Sequence, residues 1–162
     1  MIIEGRIWKF GDDVNTDVIF PGKYTYSIKD PEEMAQHAME DADPDFAKNV
    51  QDGDVIIAGS NFGCGSSIQQ AVTCLKYAGV KAIIAKSFAR IYYRNTSNLR
   101  LLAIINEEIA ENADNGDTIK IDTEKGTVEL KGKVYTYPRF PEYIAQIIDA
   151  GGLLPFIKAK GD

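Results

Sequence analysis

The sequence predicts an α/β fold, a parallel βαβαβ core with an added β hairpin. Three observations carry it. Short apolar runs at 55–58, within KAIIAK at 81–86 and at 101–105 have the pattern of buried strands. Two segments with helical spacing separate them. Beyond them the pattern changes to period two in DTIKID and TVELKG. Strand–helix–strand–helix–strand implies parallel strands joined by right-handed crossovers. The length of 162 residues suits one domain spanning 1–162.

Each element follows from its residues. IIEGRIWK, residues 2–9, reads as a first strand. FGDDVNTDVIFPG then runs through turn chemistry and predicts a long ordered loop. KYTYSIKD brings Tyr24 and Tyr26 close together. Asp30 is placed to cap a helix, with Pro31 at its first position and Glu32 and Glu33 in its first turn. Met34, His37 and Ala38 fall at helical spacing, and His37 reads as a surface or packing residue. DADPDFAKNV reads as a turn or short helix. After the run at 55–58 comes GSNFGCGSS, and Gly65-Ser66-Ser67 is expected to open a helix. Ala71, Leu75 and Ala78 line one face of that helix, and Gly79 suits its end. Residues 87–98 form a helix with a basic face. Glu124-Lys125-Gly126 turns the hairpin, and 134–137 extend it. Pro141 starts a last short helix, Gly151-Gly152 stops it, and LLPFIK closes the chain.

Composition excludes several classes. The net charge of −6 argues against nucleic acid. No window reaches the roughly 18 apolar residues of a membrane span. The start, MIIEGRIWKFGDD, lacks a basic-then-apolar signal, which predicts a cytoplasmic protein. Cys64 and Cys74 are too few for an all-cysteine zinc site or an iron–sulfur cluster. With a single histidine, no metal site is expected in this chain. Charge is segregated: residues 30–54 hold nine Asp or Glu and one Lys, whereas 55–106 hold no acid and six Lys or Arg. That pattern suits either an anionic ligand at the glycine loop or pairing between the two segments.

GSNFGCGSS is the candidate site. Its glycines leave backbone N–H groups available to an anion, with Gly63 and Gly65 as oxyanion supports. A dinucleotide fingerprint fails because Ile68 stands at the third glycine position and no acid follows. Walker and nucleophile-elbow patterns are absent. One serine can serve as an N-cap; two in a row permit a cap and a ligand-facing hydroxyl. Cys64 lacks a nearby histidine and is assigned to packing.

At these residues the chain resembles the small subunit of 3-isopropylmalate dehydratase and homoaconitase, the swivel domain of aconitase. FGDDVNTDVIFPGKY, DPEEMAQHAMEDADPDF, AGVKAIIAKSFARIYYRN and IIDAGGLLPFIK resemble the corresponding family segments, so the likeness covers nearly the whole chain. The resemblance implies a swivel-type fold in β/β/α layers. It implies half of a heterodimeric hydro-lyase in leucine biosynthesis. The reaction would be reversible loss of water from a 2-hydroxy di- or tricarboxylic acid. No cofactor is expected on this chain; a four-iron four-sulfur cluster would sit in a large subunit. By motif position Ser66 is the base, Ser67 lies beside it on the substrate, and Asp17 orients a histidine of the partner. Lys23, Tyr24, Thr25 and Tyr26 occupy the specificity loop. Two positions depart from the family pattern. Ser-Ser-Arg-Glu is here Ser66-Ser67-Ile68-Gln69, and Tyr26 stands for a loop arginine. An apolar Ile68 would leave a substrate carboxylate unpaired. A substrate of dimethylmalate type, with a more apolar group at that end, then becomes one alternative; the other is that Lys23 or Arg90 supplies the missing charge instead. A non-catalytic module binding an anion or a protein is the other alternative.

Overall fold

The computed structural model describes residues 1–137. One seven-stranded sheet organises them, in the order β4-β3-β2-β1-β5-β6-β7. The strands are β1 (Ile2–Lys9), β2 (Val55–Ala58), β3 (Ala82–Ala85), β4 (Leu102–Ile105), β5 (Thr118–Asp122), β6 (Thr127–Leu130) and β7 (Lys133–Thr136). β1 to β4 are parallel, with Ile7 opposite Val55, Val55 opposite Ala82 and Ala82 opposite Leu102. β5, β6 and β7 are antiparallel, and β5 pairs with the free edge of β1. The hairpin therefore extends the parallel sheet instead of standing apart. The helix expected at Pro141 and the closing LLPFIK lie outside the described residues.

Because side chains alternate across a strand, each buried run feeds two cores. Ile56, Ala58, Ile83 and Ala85 point to one face. There they meet Ala71, Val72 and Leu75 of α4 (Gln70–Ala78) and Tyr92 of α5 (Arg90–Asn98). Val55, Ile57, Ile84 and Ile104 point to the other face. They share a core with Ile119, Ile121, Val128 and Leu130 from the antiparallel half. That is possible only if the sheet curls so that one half covers the other, which gives β/β/α layers. Each fully buried Ile or Leu stabilises the fold by about 1.5–3 kcal/mol.

Several elements differ from expectation. The loop after β1 contains α1 (Thr16–Ile19), capped by the Asn15 side chain, and a 3₁₀ turn at Gly22–Tyr24. The helix after Asp30 is short: α2 is Pro31–Ala35, and the Asp30 side chain makes no capping bond. It stops because Met39 turns away with φ 58° and gives its N–H to Ile19 O at 2.8 Å. α3 (Phe46–Asn49) follows. α4 starts at Gln70, with Gln69 as its N-cap, so neither Ser66 nor Ser67 caps it. α5 starts at Arg90, because residues 87–89 pair with the glycine loop. An unexpected α6 (Glu107–Asn112) is capped by the Asn106 side chain on Ile109 N–H.

Candidate active site

The glycine loop is laced to both neighbours. Asp13 N–H reaches Ser60 O, Gly63 N–H reaches Val14 O, and Thr16 N–H reaches Cys64 O, each at 2.8 Å. On the other side Phe62 N–H donates to Ser87 O, and Ala89 N–H donates to Phe62 O. This lacing explains why the chain does not enter a helix at Ser66. Asn61, Gly63 and Gly65 have positive φ, so the loop kinks at alternate residues. Gly63, with φ 84°, is in direct contact range of the buried Tyr92 ring, and a Cβ there would collide with it. Tyr92 is itself fixed by its hydroxyl on Ala71 O at 2.9 Å. Burial pushes that phenol well above its usual range.

The lacing opens a cleft of about 610 Å³ between the loop and α1. One wall is Cys64, Gly65, Ser66 and Ile68; the other is Asn15, Thr16, Asp17 and the rim at Gly22, Thr25 and Tyr26. Ser66 is exposed to it, and Thr16 behind it is 2% exposed. Ser66 N–H donates to Thr16 Oγ1 at 3.1 Å, and the two hydroxyl oxygens are 3.0 Å apart. Thr16 Oγ1 accepts from the backbone, and either hydroxyl can donate to the other; with Ser66 as an alkoxide, only Thr16 can be the donor. Thr16 is a cleft residue that the sequence alone does not single out: Asn-Thr-Asp has turn chemistry, and the cap at Asn15 starts α1 so that the middle hydroxyl meets the loop.

Asp17 lies in the cleft with Oδ1 accepting Gly22 N–H at 2.6 Å. Thr25, Tyr26 and Ile68 line the cleft together with Ser66 and Asp17. Tyr26 is 90% exposed, whereas Ile68 is half-buried against the helix-side core. Gly65 lines the cleft, and among the described residues nothing accepts from its N–H. The N–H of Gly63 is engaged by Val14 and is not available to an oxyanion.

Besides Gly63, three expected residues, Ser67, Lys23 and Tyr24, are not on the lining. Ser67 lies outside it, its carbonyl accepting from Asn95 Nδ2 at 3.3 Å. Lys23 rests its ammonium 5.2 Å from the centre of the Tyr24 ring. Tyr24 turns inward, its ring stacked 4.1 Å from His37. Arg90 is also absent from the lining, which among the described residues holds no Lys or Arg. A second hollow of about 710 Å³, over β1, β5 and β6, is lined by mixed charges without serine, cysteine or histidine.

Among the described residues no three His, Cys, Asp or Glu converge. Cys74 is fully buried, and that burial pushes its thiol up, away from the thiolate a metal needs. No helix among the described residues is long and apolar enough to cross a membrane.

The Aconitase C-terminal domain family matches residues 14–109, which include the loop, α1 and the rim. The chain belongs to this family. The isopropylmalate/citramalate isomerase small subunit of Methanocaldococcus jannaschii is 47% identical over 98% of this chain and 95% of its own length. The 3-isopropylmalate dehydratase small subunit of Sulfurimonas denitrificans is 49% identical over 95% of this chain and 92% of its own. A crystal structure of 3-isopropylmalate dehydratase from M. jannaschii superposes with TM-score 0.93 at 47% identity, covering 99% and 96% of the two chains. Aconitase X of Thermococcus kodakaraensis shares the fold alone, with TM-score 0.54 at 14% identity over 80% of this chain and 90% of that one.

Proposed function

We propose that the chain is the small subunit of a two-subunit hydro-lyase of the isopropylmalate dehydratase type, acting in the cytoplasm. The observation that carries this is Ser66, exposed on an open cleft and backed by the buried hydroxyl of Thr16. The reaction removes a proton from the carbon next to the one that loses hydroxide. Ser66 Oγ, as alkoxide, is the base that takes this proton. A serine hydroxyl needs donors to exist as an alkoxide. Thr16 Oγ1–H is one, and the unengaged N–H of Gly65 lies next in the chain. α4 begins at Gln70, four residues after Ser66, so the helix expected to open at Gly65-Ser66-Ser67 does not start at the base.

Asp17 holds the rim with Oδ1 on Gly22 N–H; its other oxygen would face the partner and orient a histidine there. The large subunit would carry the four-iron four-sulfur cluster, a Lewis acid for the departing hydroxyl. This chain contributes the base, the rim and the shape of one wall. Co-expression with an iron–sulfur large subunit under anoxic conditions, followed by assay on 3-isopropylmalate, tests the reading. Turnover by the pair and none by either chain alone is expected; turnover by neither chain nor the pair would reject it.

The second reading concerns substrate. Ile68 on one wall, facing Thr25 and Tyr26 on the opposite rim, leaves this part of the cleft uncharged, and among the described residues its lining holds no Lys or Arg. A carboxylate held against that wall would lose water without gaining a cation. An alkyl group fits there instead. A 2,3-dimethylmalate type of substrate therefore stands beside 3-isopropylmalate, and comparing kcat/KM for the two decides between them.

A further inference from the structure

The cleft's rim is anchored at two ends. At the front, Gly22 N–H is tied to Asp17. At the back, Tyr24 closes the 3₁₀ turn and leaves the cleft for a small polar cluster. Its ring lies 4.1 Å from the His37 imidazole with a tilt of 32°. Its hydroxyl reaches Glu40 Oε1 at 3.5 Å, and His37 Nδ1 is 3.0 Å from the same oxygen. Among the described residues Glu40 Oε2 accepts no hydrogen bond, while 35% of the Glu40 side chain stays exposed. His37 and Tyr24 thus share a single oxygen of the carboxylate, and Glu40 ties the two rings together from the side away from the cleft. The backbone aims the cluster: Met39, with positive φ, bonds back to Ile19, so His37 and Glu40 face the turn from behind. The hydrogen bond from His37 holds the Glu40 carboxyl below its usual range.

We propose that His37 and Glu40 are positioning residues for the rim. They hold Tyr24, and Tyr24 in turn sets where Thr25 and Tyr26 meet the substrate. Their reach ends at the rim. Ser66 and Thr16 are fixed by the glycine loop and α1, through bonds that do not involve the cluster. Loosening the rim therefore weakens contacts made equally to substrate and transition state. That raises KM and leaves kcat in place. The inference rests on the hydro-lyase reading.

The test uses the co-expressed holoenzyme with 3-isopropylmalate and 2,3-dimethylmalate. His37→Phe keeps a ring against Tyr24 and removes the bond to Glu40. It should raise KM about fivefold, with kcat within about twofold of the parent, the worth of one ordinary hydrogen bond. Glu40→Ala should do the same, and the double variant should add little, because the pair acts as a unit. Tyr24→Phe removes a single oxygen and guards against misfolding; it should raise KM about twofold, in keeping with a long bond. Lower thermal stability with KM unchanged, or a fall in kcat with KM unchanged, overturns the proposal while the hydro-lyase reading stands. If the parent holoenzyme turns over neither substrate, the hydro-lyase reading fails and the positioning role falls with it.

Discussion

Replacing Thr16 by valine isolates the group that the sequence alone does not single out. Valine keeps the shape and exchanges the hydroxyl for a methyl. Two contacts vanish: the acceptor for Ser66 N–H at 3.1 Å and the hydroxyl–hydroxyl bond to Ser66 Oγ at 3.0 Å, in which Thr16 is the donor once Ser66 is an alkoxide. Each neutral hydrogen bond contributes about 0.5–1.5 kcal/mol. Ser66 is exposed, so water replaces part of the loss. Folding stability should therefore fall by only about 1 kcal/mol, or about 2–4 °C in Tm for a chain of this size. Catalysis should suffer more. A hydrogen bond to an alkoxide is charge-assisted and contributes about 1.5–3 kcal/mol. Part of this is offset, because a less stabilised alkoxide is a stronger base. The net expectation is a fall of about tenfold in kcat, or about 1.4 kcal/mol in the barrier. Thr16→Ser keeps the hydroxyl and should stay within about threefold of the parent on the same scale. Steady-state kinetics of the co-expressed pair, beside a thermal melt, measures both effects. A Thr16→Val enzyme with parental kcat would refute the donor role, even if its Tm fell as expected.

Ile68→Arg adds a cation to the uncharged wall; a substrate with a carboxylate at that end should gain about tenfold in kcat/KM over an alkyl one, and unchanged ratios across malate derivatives would remove this position from substrate selection. Gly63→Ala puts a Cβ into Tyr92 at a positive φ, and denaturant unfolding should show a loss of at least about 2 kcal/mol. Glu40→Gln tests linkage. The Glu40 carboxyl is depressed from its usual 4.5, so its contribution is present above pH 4.5 and fades as pH falls through the folded value. The stability gap between parent and variant should therefore close in acid, and a gap that widened there would contradict the pairing with His37. A thiol reagent should modify Cys64 on the cleft wall of the native chain and spare buried Cys74, which mass spectrometry of the labelled protein reads directly.

The parallel core was legible because continuous apolar runs, such as Val55–Ala58, are long enough to be strands and too short for helices. The hairpin was legible from its alternation. The position of β1 was not. Its own residues do not say that it will sit between β2 and β5, since pairing depends on which sheet edges remain free. Helix starts were misjudged where tertiary bonds compete. Ser66 has cap chemistry, but its Oγ, the atom that would cap, is turned to Thr16 Oγ1 instead. The stretch after Pro31 has helical spacing, but Met39 is drawn to Ile19 after barely more than one turn. In the site, the loop motif located Ser66, and the structure places Asp17, Thr25, Tyr26 and Ile68 around the same cleft. Tyr24 could not be separated from Tyr26 by sequence. Two aromatic residues two positions apart in a turn face opposite ways, and only the His37 stack shows which one points inward.

The account rests on Ser66 as the base. The most direct measurement is exchange of the substrate's carbon-bound hydrogen with deuterated water, catalysed by the co-expressed holoenzyme and its Ser66→Ala form. Loss of exchange and turnover together by about 10²–10⁴-fold is the predicted result, the usual contribution of a positioned general base. Exchange at the parental rate in Ser66→Ala would contradict it and remove Ser66 from the proton transfer.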